Sequence, residues 1–255
     1  MVKKLYLIGI GPGDIKYLTL EAKSVIERLS LFYVSKKEGR KEDLTLRKIA
    51  LLKAIKGDNF KIVALPFPER TKGKDYREKI RAWRTEKAKI LREALVNADE
   101  EEAGFLIWGD PSLFDGHIDI MRELERELPI AWEVIPGLSS FQILCAKERI
   151  SLTEISTPVI FHTPRTLLKS KPPEHPAVVF LDNYETFQKF KDKEFYIYWG
   201  AYVGSEDELY VSGRLREVWE KIHNVRKDLK HKKGYLMEVY VLKPLKPPGE
   251  VSDSN

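Results

Sequence analysis

The chain has 255 residues, enough for one large domain or two of ordinary size. Hydrophobic residues make up 43% and charged residues 33%, which excludes a disordered protein, and no apolar run reaches the roughly 18–20 residues of a membrane span. The net charge of +5 is explained by a solvated surface or by a polyanionic ligand, either nucleic acid or a small molecule with many carboxylates. The single cysteine, Cys145, excludes an internal disulfide and fits a reducing cytoplasm.

A glycine-rich loop, residues 9–14, follows the first predicted strand over residues 4–10. Strand, glycine loop and helix in this order are typical of a βαβ unit, which invites comparison with a dinucleotide fingerprint. The fingerprint fails at Asp14, which stands where the third glycine belongs and would repel a pyrophosphate. The glycines instead indicate backbone that lies close to another group, such as a ligand without phosphate.

Predicted strands and helices alternate through the first half of the chain. The hydrophobic pattern predicts an amphipathic helix over residues 19–31 and a fully buried strand over residues 103–107. The alternation favours an α/β fold with a mainly parallel sheet covered on both faces. The remaining predicted elements of this half are strands at 31–34, 60–65 and 130–135 and helices at 44–55, within 71–102 and at 118–128.

A second α/β domain is predicted to follow the segment Pro136-Gly137-Leu138-Ser139-Ser140. We place the N-terminal domain at residues 1–137, the C-terminal domain at 138–243 and a flexible tail, rich in Pro and Ser, at 244–255. Ser139 suits a helix N-cap. The predicted elements of the second domain are helices at 141–147 and 214–229, strands at 159–162, 177–181 and 195–199, and an edge strand at 234–242.

The loop Trp108-Gly109-Asp110-Pro111-Ser112-Leu113-Phe114-Asp115 follows the buried strand over residues 103–107. Gly109 permits backbone conformations closed to other residues, and Pro111 fixes φ, so the chain turns sharply here. Loops at the carboxyl ends of strands in open α/β sheets bind ligands. Alone, the tripeptide at residues 109–111 is equally compatible with an ordinary turn in which Asp110 caps a helix.

Three motifs together resemble the tetrapyrrole methylase family, the S-adenosylmethionine-dependent enzymes of corrin and sirohaem synthesis. They are Gly9-Ile10-Gly11-Pro12-Gly13-Asp14, Gly109-Asp110-Pro111 and Pro136-Gly137-Leu138-Ser139-Ser140. Each motif is weak alone, and their order and separations carry the resemblance. Further blocks resemble the precorrin-6A synthase (deacetylating) branch of the family, and they lie at residues 68–70, 108–111, 198–204, 213–215 and 233–237.

The resemblance implies two α/β domains with mainly parallel or mixed sheets, an active site in the trough between them, and usually a homodimer. It implies methylation of C1 of precorrin-5 by S-adenosylmethionine, which becomes S-adenosylhomocysteine, with release of the acetyl group as acetate to give precorrin-6A in cobalamin biosynthesis. The cofactor has no phosphate, and positioning carries much of methyl transfer, so glycine and serine loops suit it. Carried over by motif, the expected cofactor contacts are Pro12, Trp108, Gly109, Asp110, Leu113, Ser139, Ser140, Leu181 and Gly200.

A precorrin substrate carries several carboxylates, so its site should offer arginine or lysine side chains. Arg70 is the first candidate because it lies in the block at residues 68–70. The other arginines, which could equally serve solubility or surface ion pairs, are Arg81, Arg84 and Arg165. Further expected substrate contacts are Asp115, His117 and Tyr202. His117 could instead be a surface helix residue, and Tyr202 could be a core aromatic.

Loss of the acetyl group requires attack by water, which a general base would assist. Asp110 is the residue that we name as catalytic, with Asp115, His117 and Glu69 as alternatives. Asp110 could equally accept amide hydrogen bonds and shape its loop. The five histidines and the lone cysteine show no metal-ligand spacing, so no metal is expected.

Other functions remain compatible with the sequence. The enzyme could methylate another precorrin or tetrapyrrole position, or it could be an RNA- or protein-directed methylase of the same fold. A nicotinamide-dependent oxidoreductase is disfavoured by Asp14, and a binding module without catalysis is a further alternative. We expect a cytoplasmic enzyme of a small-molecule precorrin, with no nucleic-acid or membrane partner.

Overall fold

The computed structural model describes residues 1–36, 39, 42–69, 76–153 and 155–245. The chain divides into two compact units, one from Met1 to Ser139 and one that starts at Ser140. This division lies two residues after the boundary predicted from the sequence. Arg70 and residues 246–255 of the predicted tail lie outside the described residues.

The first unit contains a five-stranded sheet with the strand order β3-β2-β4-β1-β5. All four neighbouring pairs run parallel, as the alternation of strands and helices predicted. The strands are β1 (Lys4–Gly9), β2 (Leu31–Ser35), β3 (Lys61–Leu65), β4 (Glu102–Ile107) and β5 (Ala131–Ile135). The helices are α1 (Leu20–Arg28), α2 (Glu42–Lys56), α3 (Tyr76–Val96) and α4 (His117–Leu124).

Helices cover both faces of this sheet, so two hydrophobic cores form. Successive side chains of a strand point to opposite faces. In β1, Leu5 and Leu7 belong to the core that includes apolar residues of α3 and α4. Tyr6 and Ile8 belong to the core on the other face, with residues of α1 and α2. Burial on both faces explains why the strands are nearly continuous apolar runs.

A threonine cap sets the start of α1. The Thr19 hydroxyl accepts a hydrogen bond from the Ala22 N–H at 3.0 Å, which starts α1 where the sequence predicted. The helix ends at Arg28, however, three residues before the predicted end, because Leu31 already belongs to β2. Leu31, the last apolar residue of the predicted helix, is therefore the first residue of β2.

The second unit contains a mixed sheet with the strand order β6-β7-β10-β8-β9. β6 and β7 run parallel, and the other pairs are antiparallel. The strands are β6 (Ile160–His162), β7 (Ala177–Phe180), β8 (Phe195–Ala201), β9 (Leu209–Arg214) and β10 (Glu238–Pro244). The helices are α5 (Ser140–Glu148), α6 (Pro164–Lys169) and α7 (Leu215–Lys233).

The prediction of an edge strand over residues 234–242 was wrong. β10 is the central strand, paired with β7 on one side and β8 on the other. The first residue of the strand, Glu238, has a buried side chain that pairs with Arg226 of α7. In the part of the chain that the structure describes, no helix has the length and apolar character to cross a membrane.

Candidate cofactor site

The loops that follow β1 and β4 are joined by a short antiparallel bridge. The Gly109 N–H donates to the Gly11 carbonyl at 2.8 Å, and the Gly11 N–H donates to the Gly109 carbonyl at 3.2 Å. Since both strands run parallel, their carboxyl ends lie at the same edge of the sheet. Two of the three motifs noted in the sequence are therefore in direct contact.

The third motif packs against the other two backbone to backbone. A Cβ atom placed on Gly9 would lie 2.6 Å from the Gly137 nitrogen and 2.9 Å from the Gly109 carbonyl oxygen. A Cβ atom on Gly137 would lie 2.8 Å from the carbonyl carbon of Gly9. Real side chains do not approach backbone so closely, so glycine is required at both positions.

Asp110 ties the loop after β4 to the loop after β5. Its Oδ2 accepts the Gly137 N–H at 2.9 Å, and its Oδ1 accepts the Ser112 N–H at 2.8 Å and the Ser112 hydroxyl. Both oxygens of the predicted catalytic carboxylate are thus engaged with loop donors. The arrangement matches the alternative in which Asp110 shapes the loop.

Trp108 lies between the first glycine loop and a buried lysine. Its ring packs against Gly13, where a Cβ would collide with it. The ammonium of Lys48, from α2, lies 5.8 Å from the ring centroid and donates to the Leu106 carbonyl at 2.6 Å. Lys48 is buried and was not foreseen, although it falls four residues before Leu52 on the apolar face of α2.

The remaining predicted contacts of this unit belong to the same loops. Pro12 and Leu113 are half-buried, and Ser139 is buried directly before α5. Gly109 has a φ of +69°, and a Cβ built there would meet Ser139 Oγ at 3.8 Å as its nearest described neighbour. Apart from its chain neighbours, Ser139 is the only described residue within 4 Å of that Cβ position, so the backbone beside Gly109 fits a cradle for a cofactor that has no phosphate.

In the second unit, the predicted contacts occupy the start of α5 and the ends of two strands. Ser140 begins α5, and the next residue, Phe141, packs edge-on against Phe180 at a centroid distance of 6.2 Å. Leu181 directly follows β7 and is exposed. Gly200 is buried in β8, where a Cβ would lie 2.5 Å from Val203 Cγ2.

Comparison with known proteins agrees with this arrangement of motifs. The family model Tetrapyrrole (Corrin/Porphyrin) Methylases matches residues 4–218. A precorrin-6A synthase [deacetylating] of a Sinorhizobium species is 34% identical over 250 residues, which cover 95% of each chain. The chain belongs to the tetrapyrrole methylase family. It is therefore a methyltransferase that uses S-adenosylmethionine as methyl donor, as the motifs predicted.

Other proteins similar to this methylase have names that refer to precorrin methylation or cobalamin synthesis. A cobalt-precorrin-2 C(20)-methyltransferase of Salmonella typhimurium is 25% identical over 191 residues, 74% of this chain and 76% of the relative. The crystal structure of a cobalamin-synthesis-related protein from Corynebacterium diphtheriae matches with a TM-score of 0.79 and 25% identity, covering 96% of this chain and 100% of that one. A cobalt-precorrin-4 methyltransferase, with a TM-score of 0.61 and 17% identity over 96% and 97% of the two chains, shares the fold.

His117 of the methylase is buried inside the first unit, so the alternative of a surface helix residue was wrong. Its Nδ1 lies 2.6 Å from Asp115 Oδ1, and its ring packs against Phe105 at a centroid distance of 4.3 Å with the two ring planes tilted by 37°. Burial lowers the pKa of His117, and Lys87 and Lys48 add to this effect against the opposing influence of Asp115. The imidazole is therefore neutral near pH 7.

Asp115 stays ionised in this pair. Burial acts to raise the pKa of its carboxyl, but the hydrogen bond and charge of His117 and the charge of Lys87 outweigh it and hold the pKa below its usual range. Asp115 Oδ1 also accepts the His117 backbone N–H at 2.8 Å. Asp115 thus holds the backbone N–H and the Nδ1 side of His117 at the start of α4, whereas the buried Nε2 of His117 has no hydrogen-bond partner among the described residues.

The other substrate candidates of the methylase have different environments. Tyr202 is buried, and its hydroxyl donates to the Tyr235 carbonyl at 2.5 Å. Arg84 forms an ion pair with Asp119 at 3.2 Å. The candidates that are exposed are Glu69, Arg81 and Arg165. Across the described ranges, no three His, Cys, Asp or Glu side chains come together as metal ligands would.

Proposed function

We propose that this methylase is a precorrin-6A synthase, which methylates C1 of precorrin-5 and releases the acetyl group as acetate. The observation that carries the proposal is the 34% identity over 95% of both chains with the Sinorhizobium enzyme of that name. The three packed loops of the first unit supply a site for the methyl donor. The identity supports the branch of the family, and the packing of the three loops supports the proposed cofactor site.

S-adenosylmethionine, when bound, supplies an electrophilic methyl group on a positively charged sulfur. The chain's part is to hold that methyl in line with the attacking carbon, and a fixed geometry contributes most of the rate of such a step. The backbone of Gly11 and Gly109 is fixed by two mutual hydrogen bonds, and Asp110 fixes Gly137. We infer that these loops orient the donor through backbone groups near Pro12, Trp108, Leu113 and Ser139.

For the second unit, we propose that Ser140, Leu181 and Gly200 contact the same cofactor. Two of the substrate candidates are buried: Tyr202 directs its hydroxyl to the Tyr235 carbonyl, and His117 directs its Nδ1 to Asp115. We infer that these two residues support the substrate site without contacting the substrate. Asp115, whose side chain is about a quarter exposed (25%), can face the substrate. Arg70, outside the described residues, keeps its place as the candidate for a substrate carboxylate.

Incubation with precorrin-5 and methyl-labelled S-adenosylmethionine tests the proposed reaction. We expect a labelled corrinoid and one equivalent of acetate. A labelled corrinoid without acetate would move the protein to another methylation position, the alternative that the 25% identity to a C(20)-methyltransferase favours. The absence of both products, with intact cofactor binding, would contradict the proposal. NMR of the labelled product assigns the position of the new methyl group.

We also propose a cytoplasmic homodimer. The single cysteine and the biosynthetic role of the relatives support a cytoplasmic location. The family resemblance supports the dimer. Light scattering coupled to gel filtration checks the oligomeric state, because a monomer has a mass of 29.6 kDa and a dimer has twice that mass. Fractionation of cells that express the protein checks its location.

A further inference from the structure

Leu181 is an exposed apolar residue in a strained backbone conformation. Its side chain is 52% exposed, and its φ of +50° lies in the left-handed region that residues other than glycine and asparagine avoid. Its N–H donates to the Glu238 carbonyl at 2.9 Å, and its own carbonyl accepts the Asn183 N–H at 3.0 Å. The conformation is therefore imposed by the surrounding structure.

The side chain of Asp182, the next residue, fixes the turn that follows Leu181 through hydrogen bonds inside the protein. It is fully buried, and its carboxylate accepts the Tyr184 N–H at 3.0 Å, the Thr186 N–H at 2.6 Å, the Tyr240 hydroxyl at 2.8 Å and the Thr186 hydroxyl. Burial, reinforced by Asp182, raises the pKa of Tyr240 well above its usual range, so its hydroxyl remains a donor. A buried carboxylate needs such a set of donors to offset its desolvation.

A buried arginine of α7 completes the anchor. Arg226 Nη2 donates to the Asp182 carbonyl at 2.6 Å, and Nη1 donates to the Glu238 carboxylate. Glu238 also accepts the Trp199 indole N–H at 2.8 Å, and its backbone carbonyl is the one that holds Leu181. Side chains of α7, β8 and β10 thus converge under one exposed residue.

We propose that Asp182, Tyr240 and Arg226 are positioning residues that hold Leu181 as a preformed apolar wall of the cofactor site. Strain that the surroundings enforce at an exposed leucine is explained by contact with a ligand, because folding alone would favour glycine or asparagine there. The inference rests on the proposed function, in which Leu181 contacts S-adenosylmethionine. It adds the buried residues that fix Leu181 and that the family motifs do not include.

Calorimetric titration with S-adenosylhomocysteine tests the anchor. Tyr240→Phe removes the hydrogen bond to Asp182 and the 2.8 Å hydrogen bond with the Thr186 hydroxyl, and we expect at least about fivefold weaker binding, the effect of losing one such bond. Asp182→Asn leaves donors facing an amide, so we expect a loss of at least about tenfold. Tyr33→Phe is the matched control because it removes a bond from the Tyr33 hydroxyl to the Ala94 carbonyl in the first unit. We expect its affinity to stay within about twofold.

Leu181→Gly separates positioning from a general structural effect. Glycine adopts the left-handed conformation freely, so we expect the melting temperature to stay equal or rise while S-adenosylhomocysteine binds at least about fivefold more weakly. Unchanged affinity in both Leu181→Gly and Tyr240→Phe would overturn the inference. A Leu181→Gly variant with a changed oligomeric mass and unchanged affinity would also overturn it, because Leu181 would then contact another subunit and not the cofactor. Failure of the proposed function gives a different result, since the wild-type protein itself would then not bind S-adenosylhomocysteine.

Discussion

The carboxylate of Asp110 and the backbone N–H of Gly137 form a 2.9 Å hydrogen bond that joins the loops after β4 and β5. The same carboxylate accepts two donors of Ser112, so it holds its own loop as well. The loop after β1 reaches this pair through the Gly11–Gly109 bridge. One acidic side chain therefore sets the relative position of three loops from which we expect the cofactor to be held.

Asp110→Asn distinguishes this anchoring role from a role as general base. An asparagine has one acceptor oxygen and places an N–H₂ group against a donor, so we expect a loss of about 1–2 kcal/mol in the free energy of unfolding. We also expect at least about tenfold weaker binding of S-adenosylhomocysteine, because the loops separate. A base would show the opposite pattern, with normal affinity and a large loss in kcat. Asp119→Asn, at the exposed ion pair with Arg84, is the control and should change stability by less than about 0.5 kcal/mol.

Gly109→Ala tests whether Gly109 faces the cofactor. A methyl group there meets Ser139 Oγ at 3.8 Å, so the protein accommodates it, but a φ of +69° costs alanine about 1–2 kcal/mol. We expect that loss in urea unfolding and a loss of cofactor affinity of at least about tenfold, since the methyl group enters the ligand's space.

Gly57→Ala is the matched control for the backbone cost. Gly57 has a φ of +64° at the end of α2, and a Cβ there meets no described atom within 4 Å. We expect the same loss of stability with unchanged affinity for S-adenosylhomocysteine. Equal affinities in the two variants would mean that Gly109 does not face the cofactor. A valine at position 109 is a poorer test, because a β-branched residue is more strained still at positive φ.

Gly137→Ala tests the close packing of the three loops. The new Cβ lies 2.8 Å from the carbonyl carbon of Gly9 and collides with the Gly109 carbonyl, and both neighbours are backbone, so they cannot rotate away. We expect a loss of about 1–3 kcal/mol in urea unfolding, as for other overpacked sites.

Gly116→Ala provides the comparison for the Gly137 variant. Its φ is −110° and a Cβ there meets Arg84 Nε at 3.9 Å, so the change adds no clash and should cost only about 0.5–1 kcal/mol, the effect of alanine in place of glycine at the N-cap of α4. A Gly137→Ala variant as stable as the wild-type protein would show that the loops are not packed as described.

The contact among the three loops could be inferred from the sequence. The alternation of strands and helices predicted a parallel sheet, and in such a sheet the loops after β1, β4 and β5 must share one edge. The glycines at 9, 11, 109 and 137 then indicate where backbone meets backbone. Local pattern suffices here because period and turn chemistry agree with the fold.

The buried charged residues could not be inferred in the same way. Charged residue types usually lie at the surface, but three of them are buried here: Lys48, Arg226 and Glu238. Each is paired inside the protein with a group that is distant in the sequence. The burial of a charge depends on pairing in three dimensions, about which the sequence pattern around it is silent. The sequence prediction accordingly put residues 234–242 at an edge and kept a surface position for His117 as an alternative to a substrate contact.

His117 gives the first unit a stability that falls as the pH is lowered. Its pKa in the folded protein lies below 6.5, chiefly because it is buried, with Lys87 and Lys48 acting in the same direction and Asp115 against it. As the pH drops below about 6.5, the unfolded chain binds a proton that the folded protein does not, so the free energy of unfolding decreases, by at most about 1.4 kcal/mol per pH unit. The loss continues until the pH passes the lowered pKa of the folded state.

His117→Asn should flatten this pH dependence, because an amide can still donate to Asp115 but does not titrate. The difference between wild-type and variant isolates His117 from the other groups. The pKa of Asp115 lies below its usual value of 3.8. Burial raises the pKa of Glu238 to about 7, despite the opposing effects of Arg226 and Trp199, so Glu238 contributes stability that is lost as the pH rises. Urea unfolding of the wild-type protein and the variant at intervals between pH 5 and about 8 measures the slopes. Identical slopes for His117→Asn and the wild-type protein would mean that the imidazole is charged or exposed in the folded state.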